Sequence, residues 1–308
     1  MLNTLLEQAS CPVCGSPRQK VLRAECYPSE TDTEILIRGY SSASETRLMD
    51  RLVECEECGM VFLSPRLRSD LILSSYTEAP DHNHWAQREM RVATFRQSLS
   101  SIAKRVGFSP SKDFRILDVG SAGGYFLKAA ADAGFTCTGV EPNLELSERG
   151  REHYGVDLRS GTLEDQQFSA GSFSLVTLWD VLEHVSQPRV LLEQIGFVLK
   201  EGGFLVVNFP DYGSWIRKVM GFRWPFFLSV HLHYFTTAHL ERLLREAGYR
   251  TLYTKPHWQT LELGYVLKRA SSSVAFMSIA EKIVSAVGLG RVPLSYYVGQ
   301  TLLVAQKL

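Results

Sequence analysis

A chain of 308 residues that is 45% hydrophobic and 21% charged can bury one large core and still carry a satellite. Lysine plus arginine equals aspartate plus glutamate at 33 each, with no block of like charge, which excludes the electrostatic footprint of a duplex nucleic-acid or anionic-lipid binder and favours a small substrate. The opening MLNTLLEQASCPVCG has no basic n-region, and the most apolar stretches, 224–230 and 274–287, fall short of the roughly 20 residues of a membrane span, so a cytoplasmic chain without stable membrane insertion is predicted.

In chain order the first signal is Cys11-Pro-Val-Cys14-Gly, answered by Cys55-Glu-Glu-Cys58-Gly. Two such pairs can place four thiolates on one tetrahedral ion, and four thiolates leave no open position, so the site reads as structural Zn2+. The gap between the pairs exceeds the usual ribbon spacing, but 33–39 and 47–53 alternate enough to form an intervening hairpin. The zinc-ribbon-like module would span 1–75, with metal substituting for the core so short a segment lacks. The alternative is a set of reduced, incidental thiols. Cys26 and Cys137 read as a loop thiol and a buried strand residue.

Residues 81–106 place Met90, Phe95, Leu99, Ile102 and Val106 at near-helical spacing, a helix within a linking segment at 76–112. The main domain, 113–308, then alternates apolar runs with helical patterns, as a parallel sheet demands. Strands are predicted at 115–119, 136–140, 156–159, 173–179 and 203–208, with helices at 126–133, 144–154 and 189–199. A helix at 235–247, a strand at 249–254 and a final strand at 299–307 follow, with a helical insertion at about 256–296 before the last strand. Within it, Phe276, Ile279, Ile283 and Val287 give 274–287 an amphipathic face, read as packing on the domain in preference to membrane or dimer contact, though a homodimer stays open.

Ile116-Leu-Asp118-Val-Gly120-Ser121-Ala-Gly123-Gly124 is a strand, a small-residue loop and a helix start, where glycines let backbone approach a ligand. Glu141 ends the next strand at Gly139-Val-Glu-Pro142, where a carboxylate can accept both hydroxyls of a ribose. The loop departs from G-x-G-x-x-G at Ala122, and Asp118 would repel a pyrophosphate but favour a sulfonium and an ammonium. With Trp179-Asp-Val-Leu-Glu-His-Val185 and Lys200-Glu-Gly-Gly203, these motifs make 114–308 resemble class I S-adenosylmethionine-dependent methyltransferases, particularly the ubiquinone O-methyltransferase and sugar methyltransferase types.

The resemblance implies an α/β, Rossmann-like seven-stranded sheet ordered 3-2-1-4-5-7-6 with strand seven antiparallel. Asp118 and Gly120 would flank the methionine portion of S-adenosylmethionine, Glu141 would hold ribose, and Thr162 and Leu163 would lie against adenine. Ser121, Gly123, Gly124, Pro142 and Asp180 complete the expected cofactor side. Thr162 stands where an acid is common, so the adenine contact could pass to backbone amides or Glu164.

Methyl transfer to oxygen needs alignment at about 3 Å and a base for the hydroxyl proton. His231, His233 and His184 are the candidates, with a structural loop-anchoring role as the alternative. Asp180, Glu183 and His184 share a helix face if that segment is helical, a spacing that resembles the divalent-metal ligands of ubiquinone-type O-methyltransferases and raises Mg2+ as a candidate. The aromatic stretch 213–227 is a lid or simple packing. The leading function is S-adenosylmethionine-dependent O-methylation of a small or carrier-linked metabolite such as a glycan sugar. The alternatives are C-methylation of a nucleotide sugar, since the knuckles resemble those of nucleotide-sugar C-methyltransferases, and a non-enzymatic zinc-ribbon adaptor with a nucleoside-binding domain.

Overall fold

Strands buried on both faces read as near-continuous apolar runs, and Phe173–Trp179, interrupted by Ser174 and Thr177, is such a run at the centre of the large sheet. The computed structural model describes residues 2–27, 36, 37, 39–41, 44, 46–78, 85–271, 282–284, 286 and 288–308. In chain order its elements begin with α1 (Leu2–Leu5), β1 (Leu6–Glu7), β2 (Gln19–Arg23), β3 (Leu52–Cys55), β4 (Val61–Leu63), β5 (Arg66–Leu67), α2 (Ser69–Glu78) and α3 (Arg88–Val106). There follow β6 (Arg115–Val119), α4 (Tyr125–Asp132), β7 (Thr136–Glu141), α5 (Leu144–Tyr154), β8 (Asp157–Ser160), β9 (Phe173–Trp179), α6 (Pro188–Val198) and β10 (Leu199–Pro210). The chain closes with α7 (Trp215–Met220), β11 (His233–Tyr234), α8 (Thr237–Glu246), β12 (Tyr249–Pro256), β13 (Gln259–Glu262), α9 (Leu263–Ser271), β14 (Pro293–Tyr296) and β15 (Gln300–Lys307).

The seven-stranded sheet runs β12-β15-β10-β9-β6-β7-β8. Renumbered within the main domain and read from β8, this is 3-2-1-4-5-7-6. The pairs β8–β7, β7–β6, β6–β9 and β9–β10 are parallel, and β15 runs antiparallel between β10 and β12. The carboxyl ends of β6, β7, β9 and β10 therefore share one edge, where such sheets bind ligands. Helix α3 ends at Gly107, whose φ of 87° and N–H to the Ala103 carbonyl close the last turn. It packs on α4 and β13. Between β12 and β15 the insertion folds partly as a ribbon of β13 against β14. Phe276, Ile279 and Val287 of the amphipathic stretch lie outside the described residues, and Ile283 is exposed. Among the described residues no helix is long and apolar enough to cross a membrane.

The cysteine segment forms a four-stranded antiparallel sheet, β11-β4-β3-β2. The hairpin expected from 33–39 and 47–53 is not what pairs here. Residues 33–35 and 38 lie outside the described residues, Leu36 and Ile37 form a helical turn, and of 47–53 only Leu52 and Val53 enter a strand. The reason is local: β2 follows the first knuckle and β3 ends in the first cysteine of the second, so β2 and β3 are set side by side with Gln19 opposite Cys55. The fourth strand, β11, comes from beyond β10 and pairs His233 with Phe62 and Tyr234 with Val61. Cys11, Val13, Cys55, Met60 and Phe62 pack in one buried cluster with Leu117, Val176 and Leu205 of the main sheet.

Candidate active site

The loop after β6 is bent by two backbone bonds, since the amides of Gly120 and Ser121 both donate to the Val140 carbonyl at 2.9 and 3.0 Å. Gly120 sits at φ 74°, and a Cβ there would meet Val181 Cγ2 at 2.6 Å, so the position admits glycine alone. Ala122 is also left-handed, at φ 46°, and its N–H donates to Glu141 Oε2 at 2.7 Å. Glu141 is buried, and its Oε1 accepts the Asn143 amide at 2.8 Å. Its carboxylate thus holds the loop from beneath.

Asp118 is fully buried and accepts the Thr177 hydroxyl at 2.5 Å. Burial pushes its carboxyl up to about 7, against the Thr177 bond and with the charge of Glu141 adding to the rise. Asp180, at φ 56°, accepts the amides of Asn208 and Gln300 on one oxygen, each at 2.6 Å.

Two cavities open at this edge of the sheet, and Tyr76, Gly120 and His184 line both. One is walled by Asp118, Ser121, Ala122, Trp179, Asp180 and Asn208, the other by Pro142, Thr162 and Leu163. Seven of the expected cofactor residues therefore meet in one continuous place. Glu141, Gly123 and Gly124 stand behind the loop and shape it. Sequence reasoning missed Arg91 of α3, and His257, Gln259 and Thr260 just past β12, which all line the first cavity. Arg91 Nε, Trp179 Nε1 and Asn208 Oδ1 are buried without a hydrogen-bond partner, so a polar ligand in this cavity would complete them. The available signal was topological: β12 runs parallel to β10, so the residue after it must emerge at the ligand edge.

Of the three candidate bases, only His184 lines a cavity. His231 Nδ1 lies 2.8 Å from the Phe226 carbonyl, and His233 Nε2 lies 3.0 Å from that of Val185. His184 Nδ1 is 3.1 Å from the Val230 carbonyl, and its ring meets His231 edge-on at 4.7 Å. Burial pushes His184 down to about 4 and His233 to about 3, so both are neutral at neutral pH. The donor cluster here joins Glu183, His184 and His231, whose ligand atoms lie within 4.8 Å of one another, in place of the Asp180, Glu183 and His184 set expected for Mg2+. Two imidazoles with one carboxylate are a poor match for a hard cation that prefers oxygen ligands.

The two knuckles are near copies. Gly15 N–H donates to the Cys11 carbonyl and Gly59 N–H to that of Cys55, each at 2.9 Å, with the glycines at φ 74° and 75°. Cys11 Sγ lies 3.5 Å from Cys58 Sγ, and Cys14 Sγ 3.5 Å from Cys55 Sγ. All four sulfurs lie within 4.8 Å of one another, a spacing compatible with a tetrahedral ion at about 2.3 Å from each.

A profile of the methyltransferase domain family matches residues 82–254, more than half of the chain. The chain belongs to that family of methyltransferases. Ubiquinone biosynthesis O-methyltransferase of Actinobacillus pleuropneumoniae is 34% identical over 101 residues, 30% of this chain and 43% of that protein. Its counterpart in Escherichia coli O157:H7 is 32% identical over 132 residues, 40% of this chain and 54% of the relative. The chain thus spans about half the length of the curated relatives it matches. Among solved structures, an S-adenosylmethionine-dependent methyltransferase from Thermotoga maritima aligns with a TM-score of 0.46 at 20% identity, covering 72% of this chain and 91% of the other. One from Archaeoglobus fulgidus gives a TM-score of 0.47 at 16% identity, covering 69% and 94%. The methyltransferase match begins after both knuckles and ends before β13, so β1–β5 and the late ribbon lie outside it.

Proposed function

We propose that this protein transfers a methyl group from S-adenosylmethionine to a hydroxyl of a small or carrier-linked metabolite, a sugar being the favoured class. The observation that carries the reading is the pair of cavities meeting at Gly120 and His184, one faced by the buried carboxyl of Asp118. In this reading Pro142, Thr162 and Leu163 hold the adenine end, and Asp118, Ser121 and Arg91 hold the methionine end, an ionised Asp118 and a cationic Arg91 meeting its ammonium and carboxylate. Glu141 would act on the ribose end through the loop it braces with Gly123 and Gly124, each of its oxygens accepting a backbone amide. When bound, the cofactor supplies an electrophilic methyl group.

The acceptor would lie against Trp179, Asn208 and His257, with Asp180 fixed beside it by Asn208 and Gln300. The hydroxyl proton needs a neutral base facing the cavity. His257, which burial pushes down to about 4, and His184 both meet that need, while His231 and His233 would support His184 and the loop before β11. The cysteines would hold structural Zn2+.

Calorimetry with S-adenosylhomocysteine, then product mass after incubation with isotopically labelled cofactor and a panel of sugars and catechols, tests the reading. Micromolar binding that weakens at least tenfold in Glu141→Ala is expected. No binding in the wild type, or unchanged binding in that variant, would overturn it, and a label on carbon would replace O-methylation with C-methylation.

A further inference from the structure

The pairing of β12 with β15 does not end the ladder at the ligand edge of the large sheet. Pro256 pairs with Thr301, the His257 amide donates to the Gln300 carbonyl at 2.9 Å, and the two segments then pair again as β13 and β14, with Gln259 opposite Tyr296. The ribbon therefore rises from the sheet beside the first cavity, which His257, Gln259 and Thr260 line. It is held from two sides. Thr94 of α3 accepts the Thr260 amide at 3.1 Å, and Trp224 Nε1 donates to the Val298 carbonyl at 2.7 Å.

At the foot of the ribbon, between two residues that line the cavity, Trp258 is 59% exposed. Its ring meets that of Tyr297 across the ribbon, with centres 5.7 Å apart and planes inclined at 38°. Aromatic rings fixed outward present an apolar face to water and usually mark a contact. Two rings offer far less area than a stable protein contact buries, and suit one small ring of a ligand.

Inside the cavity, Asn208 and Trp179 are buried, and neither Asn208 Oδ1 nor Trp179 Nε1 has a hydrogen-bond partner. Asp180 accepts from the Asn208 amide nitrogen, so it is the amide oxygen that is left over. One spare acceptor and one spare donor match a hydroxyl, which both gives and takes a hydrogen bond. Hydroxyl-matched groups inside and an aromatic shelf at the mouth suit sugar rings, which carry hydroxyls at the edge and C–H groups on the faces. A nucleotide carrier fits less well. Burial and then the charge of Asp211 push the Tyr297 hydroxyl up, and phosphates seated on the pair would meet that carboxylate.

We propose that Trp258 and Tyr297 form a second sugar subsite, so that the acceptor is an oligosaccharide whose end ring enters the cavity while the next ring stacks on the pair. The inference rests on the O-methylation proposed above and adds a minimum length to the acceptor.

A glycan array incubated with the protein and isotopically labelled S-adenosylmethionine, each oligosaccharide beside the methyl glycoside of its end sugar, tests the subsite. Oligosaccharides are expected to take label with kcat/KM about tenfold or more above the matching monosaccharide, the gain that one stacked ring supplies. Trp258→Ala should remove that advantage through KM, and Trp258→Phe should retain most of it. Both variants should keep S-adenosylhomocysteine affinity and the far-ultraviolet spectrum, since the ring is exposed. In calorimetry on protein loaded with S-adenosylhomocysteine, the best-labelled oligosaccharide should bind Trp258→Ala about tenfold more weakly than wild type. The proposal is overturned if monosaccharides serve as well as oligosaccharides, if Trp258→Ala leaves the advantage in place, or if the array stays unlabelled while S-adenosylhomocysteine binds. A wild type that binds no S-adenosylhomocysteine would overturn the cofactor reading first, and this one with it.

Discussion

Ala122 holds a backbone conformation that its side chain disfavours. At φ 46° a Cβ crowds the following carbonyl at a cost of about 1–2 kcal/mol, and the bond from its amide to Glu141 offsets that cost. Ala122→Gly removes the crowding but gives the unfolded chain more freedom, about 0.4–1 kcal/mol in the other direction. A net gain of about 0.5–1 kcal/mol in urea unfolding is expected; a loss would mean that the methyl group's packing against Val92 and Tyr125 outweighs the strain. Asp118 carries a pH signature. Its folded carboxyl is raised to about 7 by burial, so the stability it contributes is full at acid pH and is lost as pH rises through that value. A cationic ligand favours the ionised form, so cofactor affinity should climb across the same window, and Asp118→Asn should flatten the climb in calorimetry run between about pH 6 and 8. The loop and both acids were legible because strand, glycines and carboxylates are neighbours in sequence. The orientation of His231 and His233 was not, because the carbonyl that each ring meets is chosen by tertiary packing.

At the scale of elements, apolar runs marked every strand of the large sheet, and Phe173–Trp179 and Arg115–Val119 fall where the pattern put them. Short strands gave no such signal. β11 has two residues and exists because β4 offers it an edge, a pairing set by the route of the chain and not by local preference. The knuckles lie between these cases: the four cysteines were plain in sequence, their neighbours were not. His239 of α8 bonds the Cys58 carbonyl at 3.0 Å, and Arg189 at the start of α6 donates to that of Val13 at 2.8 Å. A Cys55→Ser variant should therefore lose zinc measured by elemental analysis and also destabilise α6 and α8, for a total of about 3 kcal/mol or more in denaturant unfolding. Retention of stoichiometric zinc together with wild-type stability would show that Cys55 is not a ligand, and zinc absent from the wild type would show that these thiols hold no ion.

For the whole molecule the decisive fact is that the cysteine sheet and the large sheet share buried side chains. Cys11, Met60 and Phe62 pack with Leu117 and Val176, β11 completes the cysteine sheet, and the Glu183 carbonyl accepts the Leu232 amide at 2.8 Å just before that strand. Neither sheet can open without exposing the core of the other, so unfolding should be a single transition. A ligand bound only to the folded state then protects both sheets equally, by RT ln(1 + [L]/Kd), or about 2.7 kcal/mol at a hundredfold excess over Kd. With zinc on the four thiols as proposed, its release to a mercurial reagent would report opening of the cysteine sheet, whereas S-adenosylhomocysteine would bind at the ligand edge of the large one. If the sheets open together, saturating S-adenosylhomocysteine should slow zinc release about 100-fold under conditions where the metal escapes only from the unfolded chain. Release that ignores the ligand would mean that the knuckles open on their own, and that the shared core is weaker than its buried contacts imply.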